Sequence, residues 1–201
     1  MITRIFTLFF AFVLLSSFSD QEGYRIGDKA LEFELKNIDG QMFSLKSTAV
    51  RGYVVVFTCN HCPFSKKYED RLIKLNNITT PKGYPLVAIN SNDAEQYPED
   101  SFENMKVRAK EKGFNFPYLH DETQEVARTY GATKTPHVFV LAKEHGAFVV
   151  KYIGAVDDNT DDEAAVKMKY VENAIDALTT GNLINPELTK AIGCSIKWKK
   201  S

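Results

Sequence analysis

The sequence predicts an α/β protein in which helices flank a central mixed β-sheet and a β-hairpin precedes that sheet. Three observations support this: two continuous apolar runs at 53–57 and 84–89, a helical stretch between them, and alternating segments at 31–35 and 42–45. The 201 residues are 44% hydrophobic and 25% charged, which is typical of a globular chain that folds around one core.

The first predicted elements are the hairpin and the first buried strand. Residues 31–35 and 42–45 alternate between apolar and polar side chains, and the turn residues 37–40 separate them. Residues 53–57 form an unbroken run of aromatic and β-branched side chains, which is typical of a strand covered on both faces. A helix carrying Tyr68, Leu72 and Leu75 on one face follows this strand.

The second half of the chain predicts further strands and helices in alternation. Residues 84–89 form the second apolar strand, a helix begins near Pro98 and stops at Gly113, and a short helix covers 123–130. The remaining predicted elements are strands at 138–141 and 147–150 and a last helix at 164–178, with Val166, Tyr170, Ala174 and Leu178 facing inward.

The charge balance argues against one class of partner. The chain has 25 Lys and Arg residues against 26 Asp and Glu residues, a net charge of -1. A protein that binds nucleic acid by neutralising phosphates needs a basic surface, so we expect no nucleic-acid partner.

The N-terminus predicts a secretory signal. Arg4 supplies a positive charge, residues 5–15 form an uncharged, mostly apolar run, and Ser17 and Ser19 are small residues suited to a signal peptidase. The run is shorter than the roughly 20 residues that span a bilayer, so a retained membrane anchor is the weaker alternative.

Cleavage after Ser19 divides the chain. We expect a signal peptide at 1–19 and a single domain at 20–201 whose C-terminal tail covers 183–201. The mature protein is then exported to the periplasm or secreted, with no membrane span after cleavage. Its oligomeric state stays open.

Three cysteines, Cys59, Cys62 and Cys194, follow the signal. Thiols outside the cytosol tend to form disulfides, and an odd number leaves one of them unpaired or transiently paired.

The pair Cys59 and Cys62 stands between a buried strand and the first turn of a helix, where backbone N–H groups carry a partial positive charge. This position favours a thiolate, so we expect Cys59 to be a nucleophile and Cys62 to resolve the mixed disulfide that Cys59 forms. A charged His61 would stabilise the thiolate further, and His61→Ala would then raise the pKa of Cys59.

Two structural interpretations of this pair are weaker. A static disulfide that closes a four-residue loop stabilises little, and a structural zinc site needs four ligands where this motif offers two.

The strand, the Cys59–Cys62 motif followed by Pro63, and the later Thr135-Pro136 before a strand resemble the thioredoxin superfamily. The match extends over nearly the whole mature chain to its peroxiredoxin-like AhpC/TSA (redoxin) branch. The segments that carry this closer resemblance are 91–93, 97–101, 116–119, 121–124, 135–137 and 193–198.

The resemblance implies a thioredoxin-like fold and a thiol-disulfide oxidoreductase that exchanges disulfides with protein partners. It implies a cis peptide bond before Pro136 and a backbone at Thr135 that binds an extended partner. It implies no prosthetic group, because the redox-active Cys59–Cys62 disulfide carries the electrons.

Departures from the peroxiredoxin pattern weigh against a thiol peroxidase, which is the first alternative. If Cys62 is placed as the peroxidatic cysteine, Cys59 occupies the usual Thr or Ser position, Val55 the usual Pro position, and Pro136 lies near where an Arg is expected. Tyr53 occupies the position of the buried Asp of reduced thioredoxins, so water or another group must transfer the proton at Cys62.

The remaining candidates are Cys194 and His137. Cys194 is either a small residue that anchors the tail or a third redox cysteine. The second alternative function is a Cu(I)-binding module built from Cys59, Cys62 and His137, since thiolates and imidazole suit Cu(I). The acidic run at 157–162 is expected to be a solvated loop.

Overall fold

A computed structural model describes residues 23–46 and 49–200. The predicted signal peptide at 1–19 lies outside the described residues. Within those ranges, no helix is both long and apolar enough to cross a membrane.

The centre of the molecule is a seven-stranded mixed sheet with the order β2-β1-β5-β4-β3-β7-β8, and a separate two-stranded sheet pairs β6 with β9. The strands are β1 Glu34–Asn37, β2 Met42–Ser44, β3 Gly52–Phe57, β4 Leu86–Asn90, β5 Tyr118–His120, β6 Lys134–Thr135, β7 His137–Glu144, β8 Ala147–Gly154 and β9 Cys194–Ser195. The helices are α1 Pro63–Thr79, α2 Phe102–Lys112, α3 Glu125–Tyr130 and α4 Tyr170–Thr180. The predicted α/β class, with a mixed sheet flanked by helices, is confirmed.

Strand β3 is the most deeply buried element and determines where the cysteine pair lies. It runs parallel to β4 and antiparallel to β7, and all six of its residues are buried. Val54 and Val56 pack into the core on the side of α1 and α4, whereas Val55 and Phe57 pack into the core on the side of α3. The residues that follow Phe57 therefore lie at the C-terminal end of a central strand.

The last helix differs from the prediction of 164–178. Glu163–Ala165 form a short 3-10 turn in which the Asp162 carboxylate accepts a hydrogen bond from the Ala164 amide, and α4 begins only at Tyr170. The fully buried side chains of α4 are Val171, Ala174 and Ile175. Val166, Tyr170 and Leu178 are only partly buried. The apolar residues of this segment fit two neighbouring helical faces, and because α4 begins at Tyr170 the face that points into the core is not the predicted one.

Two smaller differences concern strands. Strand β5 was not predicted, because three residues after Pro117 are too short to show a period. The predicted strand at 84–89 is displaced to Leu86–Asn90, since Pro85 has no N–H to donate to a neighbouring strand.

The acidic run is not wholly solvated as predicted. Asp157 is buried and accepts hydrogen bonds from the Tyr68 hydroxyl at 2.8 Å and from the Arg71 guanidinium at 3.0 Å. This carboxylate therefore joins the acidic loop to α1, while Asp158, Asp161 and Asp162 remain outside the core.

Candidate active site

The cysteine pair lies where β3 ends and α1 begins. Cys62 is the residue that precedes the first turn of α1, and Pro63 occupies that turn, where its missing N–H costs nothing. Cys59 comes two residues after the end of β3. Both are free thiols, and their exposed fractions are 3% for Cys59 and 0% for Cys62.

Thr135 contacts both sulfurs from the opposite side. The Cys59 thiol donates to the Thr135 hydroxyl at 3.4 Å, and the Cys62 thiol lies 3.4 Å from the Thr135 carbonyl oxygen. The peptide bond between Thr135 and Pro136 is cis, as the family resemblance implied. The two cysteines and this loop thus form one compact site.

The C-terminal tail covers this site. Strand β9 pairs antiparallel with β6, and Cys194 lies directly opposite Thr135. Gly193 permits the close approach, because a Cβ atom there would stand 2.1 Å from the Thr135 carbonyl oxygen. The predicted edge for an extended partner at Thr135 is therefore occupied by the protein's own tail, and a partner strand cannot add there while β9 is docked.

The two thiols of the pair have pKa values that are shifted in opposite directions. Hydrogen bonding from Cys59, from the Cys194 side chain and from the Ser65 amide lowers the pKa of Cys62 to about 4, against the opposing effect of burial. The pKa of Cys59 is raised far above its usual range by its hydrogen bond to Cys62, by burial and by the nearby Asp100 carboxylate. The pKa of Cys62, at the start of α1, is thus lowered and that of Cys59 is raised, the reverse of the expected direction, and which sulfur attacks a partner stays a prediction.

This difference predicts a specific thiolate titration. In the reduced protein we expect the ultraviolet absorbance of one thiolate to appear as the pH rises through about 4, because the pKa of Cys62 is lowered to that value. Cys62→Ser should remove this step, whereas Cys194→Ser, as the matched control, should keep it. A step that survives in Cys62→Ser but disappears in Cys59→Ser would return the thiolate to Cys59.

His61 has a ring nitrogen within 4.8 Å of the Cys59 sulfur, but its ring is held by other partners. Its Nδ1 lies 2.5 Å from the Asp100 carboxylate, and its ring stacks on Tyr97 with centroids 4.8 Å apart. The Asp100 carboxylate that holds the His61 ring is itself a cause of the raised pKa of Cys59, and the tuning role of His61 stays a prediction.

Asp100 is the functional residue that sequence reasoning missed. It is fully buried, and its carboxylate accepts hydrogen bonds from the Asn60 amide at 2.6 Å, the His61 amide at 3.3 Å and the Asn92 side chain at 2.8 Å. The only signal in the sequence is its place beside a predicted helix start, where an acidic residue is normally solvated. Its carboxylate holds the segment between the two cysteines.

The structure does not bring His137 into the cysteine cluster. Its Nδ1 accepts a hydrogen bond from the Thr133 amide at 3.3 Å, its ring lies against Phe139, and burial lowers its pKa to about 4. Among the described residues, the potential metal ligands that gather around Cys59 are His61 and Asp100. The copper ligand set of Cys59, Cys62 and His137 is therefore not favoured.

A mixed sheet of this order, with a cysteine pair at the start of α1 and a cis-proline loop facing it, defines a thioredoxin-like protein. The family model described as the AhpC/TSA family matches residues 26–158, more than half of the chain. The chain belongs to the AhpC/TSA family.

Three relatives illustrate the similarity. The thiol-disulfide oxidoreductase ResA of Halalkalibacterium halodurans is 25% identical over 146 residues, which cover 73% of this chain and 78% of ResA. The crystal structure of an uncharacterized conserved protein from Geobacillus kaustophilus is 44% identical with a TM-score of 0.81, covering 88% of this chain and 94% of that one. A thioredoxin-family thiol:disulfide interchange protein from Chlorobium tepidum is 18% identical with a TM-score of 0.58, covering 78% and 99%, and shares the fold.

Proposed function

We propose that this protein is a thiol-disulfide oxidoreductase whose redox pair is Cys59 and Cys62. The observation that carries the proposal is the pair itself: two buried free thiols at the junction of β3 and α1, both in contact with Thr135 of the cis-proline loop. The similarity to ResA, which is named a thiol-disulfide oxidoreductase, supports the same activity.

The reaction moves two electrons between the pair and a partner. In the reducing direction, Cys59 and Cys62 give up two electrons and form one disulfide, while the partner's disulfide takes up those electrons and two protons, one from the Cys59 thiol and one from the solvent, and becomes two thiols. The oxidising direction is the reverse. An exchange of this kind takes protein thiols and disulfides as partners.

The proposal is tested by the reduction potential of the pair. Purified protein is equilibrated with glutathione buffers, free thiols are alkylated and counted by mass, and the disulfide is assigned by peptide mapping. We expect one two-electron transition that joins Cys59 to Cys62. A potential near about -270 mV would indicate a reductant, and one near about -120 mV an oxidant. If no Cys59–Cys62 disulfide forms at any potential, the proposal fails.

The thiol peroxidase alternative is not favoured. A peroxidase needs a cation to polarise the peroxide, and Pro136 stands where the family pattern expects an Arg. The guanidiniums of Arg71 and Arg108 are held elsewhere by Asp157 and Glu69. The copper alternative is not favoured either, because His137 Nδ1 is used by the Thr133 amide and, among the described residues, His137 is not in the cluster of potential ligands at Cys59.

We also propose that the protein works outside the cytosol. The support is the signal-like N-terminus with Arg4, the apolar run 5–15 and small residues at Ser17 and Ser19. A fusion of residues 1–25 to a reporter enzyme that is active only after export tests this location. Retention of the reporter inside the cell would contradict it.

A further inference from the structure

The Cys59–Cys62 pair is hidden from a macromolecular partner. Cys62 has no exposed surface and Cys59 has 3%. Cys194 is only partly buried and is the most accessible of the three thiols. A thiol or disulfide of a partner protein can therefore reach the sulfur of Cys194 more easily than the sulfurs of Cys59 and Cys62.

Cys194 is also held against the pair. The pKa values of Cys62 and Cys194 each depend on the other thiol, which indicates that the two side chains are close together. Thr135 faces Cys194 across the β6–β9 pairing and also contacts both sulfurs of the pair. Cys62 therefore has two thiols near it, Cys59 and Cys194.

The tail that carries Cys194 is firmly docked. Ile196 is buried in the core, and its amide donates to the Thr133 carbonyl at 3.2 Å. The Lys197 amide donates to the Asn92 side chain at 2.8 Å, and the Lys199 amide donates to the Gln124 side chain at 2.8 Å. These bonds fix the position of Cys194 on both the sheet side and the loop side, so its sulfur meets Cys62 at a high effective concentration.

We propose that Cys194 is a third redox-active cysteine that relays disulfides between a protein partner and the buried Cys59–Cys62 pair. The proposal rests on the proposed function, because it requires that the Cys59–Cys62 disulfide forms.

The internal step is a thiol-disulfide exchange that balances without any added reagent. The Cys194 thiolate attacks Cys62 in the Cys59–Cys62 disulfide, a Cys62–Cys194 disulfide forms, and Cys59 leaves as a thiolate that takes up the proton lost by Cys194. A thiolate of the partner next attacks Cys194 and releases Cys62. A second partner thiol then displaces Cys194, so the partner gains one disulfide and the protein retains three thiols.

The environment of Cys194 changes in the direction that this step needs. Burial and the neighbouring Cys62 thiolate raise the pKa of Cys194 to about 11 in the reduced protein, whereas Lys197 lowers it. When Cys62 is in a disulfide its negative charge is gone, so one cause of the raised pKa disappears while Lys197 remains. Cys194 thus ionises more readily when the pair is oxidised.

The first experiment traps the relay disulfide. Cys59→Ser is oxidised with glutathione disulfide, quenched with acid, alkylated and mapped by mass spectrometry. We expect a Cys62–Cys194 disulfide as the main product, and Cys62→Ser treated in the same way should give much less of a Cys59–Cys194 disulfide. Equal yields from the two variants, or no Cys62–Cys194 disulfide, would overturn the proposal.

The second experiment measures transfer to a protein partner. The oxidised protein is mixed with reduced, unfolded ribonuclease, and disulfide formation in the ribonuclease is followed over time. Cys194→Ser and Cys194→Ala should slow transfer by at least about tenfold. Gly193→Ala, which keeps all three cysteines but forces β9 away from Thr135, should slow it similarly. Wild-type rates in all three variants would overturn the proposal.

A matched variant separates position from the mere presence of a tail thiol. The double variant Cys194→Ser and Ser195→Cys moves the thiol by one residue in β9, which turns it to the other face of the strand. We expect no recovery of transfer. Failure of the proposed function is distinguishable, because wild-type protein would then form no Cys59–Cys62 disulfide, whereas failure of the relay leaves that disulfide and its potential intact.

Discussion

Cys62→Ser is expected to reduce dithiol–disulfide turnover by roughly a thousandfold or more, the largest loss of any single substitution at the site. Cys62 is the sulfur whose pKa depends on both other thiols, and that pKa is lowered to about 4. Serine retains the size of the side chain but cannot form a disulfide with either neighbour. The substitution therefore breaks every exchange step at once.

Cys59→Ser is expected to be less damaging, because Cys62 and Cys194 remain as a dithiol. The measurement is the rate at which each variant accelerates the reduction of insulin by dithiothreitol. Both substitutions are repeated in a Cys194→Ser background, in which each protein keeps one cysteine of the pair. Ser195→Ala, on the exposed tail, serves as the control and should behave as the wild type does.

The order of the two losses decides the roles of the cysteines. Greater activity in Cys62→Ser than in Cys59→Ser would mean that Cys59 attacks the partner, as the position of Cys59 in the motif suggested. Activity could instead be lost completely in both Cys59→Ser and Cys62→Ser, while Cys194→Ser alone keeps the wild-type activity. That result would mean that Cys59 and Cys62 act only as a pair.

The sheet was predictable because its central strands are strongly marked. An unbroken run such as 53–57 has few other ways to be buried, and β3 is covered on both faces as predicted. Strand β5 was missed because its pairing with β4 comes from the tertiary fold and not from its own three residues. The start of α4 was missed because the same apolar residues fit two helical faces and the local turn at Glu163–Ala165 chooses between them.

The cysteine pair was predictable because its chemistry lies in four consecutive residues. The relation of Cys194 to Thr135 was not, since it depends on a tail that returns across the molecule after α4. The distribution of protons within the pair was also hidden. It depends on Asp100, which is distant in sequence from Cys59, and on the exact residue at which α1 begins.

Asp100→Ala is the substitution with the largest expected effect on stability. The carboxylate is fully buried, and it satisfies the amides of Asn60 and His61 and the side chain of Asn92. Alanine would leave these buried donors without an acceptor, which costs on the order of 3 kcal/mol or more in the free energy of unfolding. Urea unfolding of the reduced protein measures this loss.

Asp100→Asn separates the charge from the hydrogen bonds. Its amide keeps one acceptor oxygen and the shape of the side chain but places an NH₂ group near the Asn92 side chain, so the loss of stability should be intermediate. Both variants remove a negative charge that raises the pKa of Cys59, so that pKa should fall in both. The thiolate of Cys59 should then form at lower pH than in the wild type.

These two readouts test different parts of the argument about Asp100. If Asp100→Asn lowers the pKa of Cys59 while retaining most of the stability, the charge tunes the pair and the hydrogen bonds hold the loop. If neither variant changes the Cys59 titration, Asp100 acts only as a scaffold for residues 60 and 61. In that case the unequal sharing of the proton arises from the start of α1 and from Cys194 alone, and Cys194→Ser should then shift the Cys62 step to higher pH.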